Sequence, residues 1–161
     1  SWSGYTVSGW GLADSSLDLC SGTTAGADWI AYGACRNPRL DIDNISTSGI
    51  PENINVDTPL DGQEFRIAVN YYNAGYSATV TLTHPVVNVY CDGMRVATYG
   101  YPASNQVSMD DVGTGCSSGQ IWRVADVLTS VDPNTGDVTC TVTPLDDGSG
   151  NPYITAGDSS Y

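Results

Sequence analysis

The sequence predicts an all-β fold, an antiparallel β-sandwich, on three observations. No stretch sustains the 3.6-residue apolar period of an amphipathic helix. Short runs of β-branched and aromatic residues recur instead, separated by Gly, Asn, Asp and Pro. The chain of 161 residues is 40% apolar, which suits one domain burying roughly 70% of its unfolded surface. About ten short strands with close turns suit two packed sheets better than the alternative, a closed barrel. Residues 1–161 read as a single domain.

The candidate strands in order are 5–10, 16–20, 28–32, 53–56, 64–73, 78–83, 86–91, 94–99, 122–131, 137–143 and a short one at 153–155. In E-F-R-I-A-V-N-Y-Y, Phe65, Ile67, Val69 and Tyr71 share one face, the alternation of a half-buried antiparallel strand. Phe65, Ile67 and Val69 should face Val87 and Val89, with Asn88 and Tyr90 on the outer side. Asp92-Gly93 predicts a type I′ hairpin turn, because both central residues need positive φ. Residues 132–136, D-P-N-T-G, predict a second hairpin with a longer loop. Pro85 cannot donate to a ladder, so it marks an edge, a bulge or a strand boundary. Val124 and Val127 differ in parity, and both can be buried only across a bulge. Residues 101–119 read as a long loop and 146–161 as an extended tail.

Charge narrows the partners. Eighteen carboxylates against five Arg, with no Lys, give a net charge of -13. Such a surface repels phosphate backbones and anionic lipid, so neither nucleic acid nor membrane docking is expected. No apolar run reaches the roughly 20 residues that span a bilayer, and no membrane insertion is expected. A surface rich in Ser, Thr, Asn, Asp and Tyr suits a secreted or cell-surface protein. The chain opens on S-W-S-G-Y, and a leader or preceding domain is expected to have been removed.

Five cysteines without a C-x-x-C pair, and one His, fit disulfides better than zinc. Cys20 and Cys35 flank a Gly-rich loop and form one expected bridge. Cys91 pairs with Cys140 or, less favoured, with Cys116. The first choice leaves Cys116 free, exposed and able to link to another chain, so a homo-oligomer is one expected state.

For chemistry, His84 stands beside a Pro with no nucleophile motif nearby, and no phosphate or dinucleotide loop is present. No enzyme activity is expected. Asp41 and Asp43 alternate along an extended stretch, with Asn44 and Glu52 near in sequence and Asp14 and Asp18 on an earlier strand. Hard oxygens at this density suit Ca²⁺, the one expected cofactor, with Asp18, Asp41, Asp43, Asn44 and Glu52 as ligands. The plainer alternative is that these acids solvate and cap a turn. Residues 132–137 have calcium-loop spacing too, but fit a hairpin turn better.

The run N-P-R-L-D-I-D-N … G-I-P-E-N-I, with V-N-V-Y-C-D-G and W-R-V-A-D-V further on, resembles a module of secreted bacterial surface proteins. That module, akin to pre-peptidase C-terminal domains, pairs a D-x-D-L-H strand with N-P-x-L-D-x-D … G-P-E-x-I. The resemblance covers residues 14–131 and implies a jelly-roll-like accessory sandwich without catalysis. Ser16 and Cys20 stand where the module has its first Asp and its His, and Ile50 where it has Gly.

The first functional expectation is therefore a structural or adhesive module that meets other extracellular protein subunits or surface glycans. The second is a carbohydrate-binding module using Tyr99, Tyr101 and Trp122 as stacking platforms. A secreted hydrolase is the third.

Overall fold

The computed structural model describes residues 39–42, 51–56, 59–71, 82–110 and 120–156. The chain falls into two compact units, Ser1–Leu60 and Asp61–Tyr161. Strands dominate, all their pairings are antiparallel, and no α-helix occurs among the described residues. The fold is all-β.

In the first unit, β1 (Arg39–Ile42) pairs with β2 (Asn53–Asn55). Leu40 lies opposite Ile54 and Ile42 opposite Asn53, so the register slips at Asp41. Asp43, expected to alternate with Asp41, lies outside the described residues.

The second unit holds β3 (Glu64–Asn70), β4 (Leu82–Thr83), β5 (Val87–Cys91), β6 (Met94–Tyr99), β7 (Met109–Asp110), β8 (Gln120–Val131), β9 (Val138–Pro144) and β10 (Tyr153–Ala156). The twelve-residue β8 is its spine. Along one edge β8 pairs with β3, and along the other with β10 and then β9. Two-stranded ladders, β4–β7 and β5–β6, are the other pairings among its described residues.

A single bulge organises this sheet. Ile67 pairs with Ala125 and Ala68 with Arg123, which leaves Val124 as the extra residue on β8. Val124 is also where the other edge changes partner from β10 to β9. Before the bulge, Trp122 and Val124 share the core face, and after it Ala125 and Val127 take that face. Val124 and Val127 are thus both buried, as the parity argument required. Ile121 and Arg123 point to the opposite face and are buried there.

The core cluster is Val107, Met109, Trp122, Val124 and Ala125, with Ile67, Val69, Tyr71, Val87, Tyr99, Val142 and Ile154 packed around it. Phe65, Ile67 and Val69 alternate with exposed neighbours as expected, although they are only half-buried. Val89 is buried while Asn88 and Tyr90 face solvent, also as expected. One expectation is corrected. The segment 101–119, taken for a loop, contains a 3-10 turn at Ala103–Asn105 and β7, and it supplies Val107 and Met109 to the core. The short strand expected at 153–155 is present within the tail from 146 as β10, and it takes a place in the sheet.

The turns follow their sequence chemistry. Asp92 and Gly93 have φ of 48° and 74°, the type I′ signature. In the β8–β9 turn the Asp132 carboxylate accepts from Asn134 N (2.7 Å) and Thr135 N (3.2 Å). Pro85 sits between β4 and β5, a strand boundary. Its carbonyl oxygen faces Gly100, where φ is +78° and a Cβ would collide with it.

Candidate functional site

Of the expected calcium ligands, Glu52 is exposed just before β2, and Asp41 sits on β1 at the register slip. The pairing of Ile42 with Asn53 puts these two positions at one end of the ladder. The side chain of Asp41, and Asp18, Asp43 and Asn44 entirely, lie outside the described residues. Among the described residues no three His, Cys, Asp or Glu side chains converge on one point. In 132–137 the Asp132 carboxylate is spent on its own turn, where the Asn134 and Thr135 amides hold it below the usual carboxylate range. A similar turn follows at Asp147, whose carboxylate accepts from the Asn151 side chain and from the amides of Ser149 and Asn151. These bonds lower its pKa.

Cys91 and Cys140 form a disulfide with Cα atoms 6.1 Å apart. It ties the end of β5 to the middle of β9, two elements that share no ladder. Cys20, Cys35 and Cys116 lie outside the described residues.

The three stacking candidates separate. Trp122 is 3% exposed, a core residue that offers no ring face to a sugar. Tyr99 packs against the same core, and burial raises its phenol pKa. Both are corrections: an aromatic in a strand goes to whichever face its register selects, and these two face inward. Tyr101, at the open end of the β5–β6 hairpin, is 66% exposed.

His84 Nδ1 lies 3.1 Å from the Val107 carbonyl oxygen and 3.2 Å from Ser108 Oγ. These contacts join the segment after β4 to the segment before β7.

A polar surface that the sequence reading passed over lies on the outer side of β5–β6. Tyr90 is cross-strand from Arg95, and Asn88 from Thr98. Thr98 Oγ1 donates to Asn88 Oδ1 over 2.9 Å. The turn alone contains this register, because a two-residue loop at Asp92-Gly93 sets Cys91 opposite Met94 and Tyr90 near Arg95.

No protein-family profile, curated protein or solved structure matches this chain. The resemblance to the bacterial surface module therefore stands on its short motifs alone.

Proposed function

We propose that this chain is a non-catalytic, extracellular β-sandwich module that serves structure or adhesion in a secreted or cell-surface assembly. The observation that carries the proposal is the Cys91–Cys140 bridge, which fastens the β5–β6 hairpin to the strand beside β8. A bond of this kind persists in oxidising compartments and is rare in the cytosol. Val87 and Tyr99 of the hairpin pack on the cluster to which β8 contributes Trp122, Val124 and Ala125, contacts that a sandwich would make. The Lys-free acidic composition and the surface-module motifs agree with it.

Calcium bound through Asp18, Asp41, Asp43, Asn44 and Glu52 belongs to the same proposal. So do partners drawn from other extracellular subunits, surface glycans or a second copy of the chain.

Two measurements test it. Protein exported to an oxidising compartment should yield a linked Cys91–Cys140 peptide on non-reducing digestion, and cytosolic expression should give a less stable product. Turnover in a screen of glycoside, ester and peptide substrates would overturn the non-catalytic assignment.

A further inference from the structure

We propose that the outer face of the β5–β6 hairpin binds a carboxylate-bearing sugar, such as a uronate unit of an acidic polysaccharide, through Tyr90 and Arg95. This rests on the adhesive reading above and names its ligand. Three guanidinium side chains are described. Arg66 is bonded at 2.7 and 2.8 Å to Asp126. Arg123 is 3% exposed, bonded to Thr155 Oγ1 and stacked 4.7 Å from the Tyr153 ring centre. Arg95 is exposed, and its guanidinium makes no ion pair or hydrogen bond among the described residues. A guanidinium that none of the described carboxylates meets is a point of complementarity for an anion.

The groups around Arg95 select which anion. Tyr90, 61% exposed, presents a flat ring directly across the ladder. An aromatic face with a polar rim suits the C–H face of a pyranose, and phosphate alone would make no use of it. Asn88 and Thr98 are bonded to each other, which fixes the amide and leaves its N–H groups as donors for sugar hydroxyls. Val96 is the extra residue of a bulge in β6, because Val89 pairs with Ala97 and Tyr90 with Arg95. The bulge twists the strand between Arg95 and Thr98.

Size argues against a protein partner here. Two strands of this length present a face of about 10 by 17 Å. A stable protein interface needs about 800 Å² from each side. A short run of sugar units needs far less. The net charge of the chain opposes a long polyanion, but exposed charges are screened beyond about 10 Å at 0.1 M salt. Asp92 occupies the turn end, so the ligand carboxylate approaches from the Asn88–Thr98 side.

The test is calorimetric titration of the whole chain with oligogalacturonate and, in parallel, with neutral cello-oligosaccharide. Oligogalacturonate should bind and the neutral sugar should not. Arg95→Ala and Tyr90→Ala should each weaken binding about tenfold, the loss of one charge-assisted pair or one stacking face. Arg95→Lys and Tyr90→Phe should keep most of it. Unchanged melting temperatures in these surface variants show that the loss is local. No heat at millimolar oligogalacturonate, or equal binding of the neutral sugar, overturns the proposal while leaving a non-catalytic structural module intact. A concentration-dependent dimer that Tyr90→Ala dissolves also overturns it, in favour of a contact between copies.

Discussion

The residue with the clearest electrostatic role is Asp126. Its carboxylate takes two bonds from Arg66, which lower its pKa and raise that of the guanidinium. The side chains are 45% and 37% exposed for Arg66 and Asp126, so water screens the pair. Arg66→Ala should therefore shift the urea midpoint very little. Asp132 and Asp147 are depressed as well, by the amides of their turns. All three shifts have one sign. Below the ordinary carboxylate pKa of about 4 the unfolded chain takes up these protons before the folded one does. The stability they supply is present above that pH and is lost as pH falls through the lowered values. The melting temperature should thus decline below about pH 4, and Asp126→Asn should shrink that decline. A flat acid limb in the wild-type chain would show that these bonds do not hold in solution.

Among the elements, β8 and the segment leading into β7 set the packing. Met109 is wholly buried, and Met109→Ala should cost about 2–5 kcal/mol. Ile67 shares the cluster but is only half-buried. Ile67→Ala should fall near the low end, about 2 kcal/mol, and urea titration of both variants should preserve that order. A loss below about 1 kcal/mol at Ile67 would mean that its face had been assigned wrongly. Gly100 is a sharper probe of the connection between β4 and β6. Positive φ and the Pro85 carbonyl both exclude a side chain there, so Gly100→Ala should destabilise by more than about 1 kcal/mol. Gly62→Ala, with positive φ but open space around it, should cost less. Comparing the two separates backbone strain from collision.

At the scale of the molecule, the disulfide closes a loop of 49 residues. In the chain-entropy description that contributes about 4 kcal/mol. A Cys91→Ala/Cys140→Ala double variant should therefore unfold at markedly lower denaturant, whereas reductant should leave its midpoint unchanged. Calcium is a separate expectation for the first unit. Binding only to the folded state adds RT ln(1 + [Ca²⁺]/Kd), about 2.7 kcal/mol at a hundredfold excess. The melting temperature should fall with chelator and recover with Ca²⁺, and Asp43→Ala should remove the difference. Identical melting curves in chelator and in millimolar Ca²⁺ would count against the site.

What the sequence determined by itself is local. Alternation in 64–70 and 87–91, positive φ at Asp92-Gly93 and the capped turn at Asp132 all depend on neighbours a few residues away. The strands and hairpins they specify are present. The Cys91–Cys140 bridge was legible because Cys91 ends one strand and Cys140 lies in a hairpin able to sit beside it. Tyr90 and Arg95 were readable from the turn register, but nothing local showed that no described carboxylate meets Arg95. That depends on where the other acids of the described residues go. Only the tertiary structure decided that Trp122 and Tyr99 face inward, that Val107 and Met109 leave a polar segment to enter the core, and that β10 completes the β8 edge. Burial is the reason: it is shared among segments far apart in the chain, and a single bulge at Val124 reassigns which residues of β8 receive it.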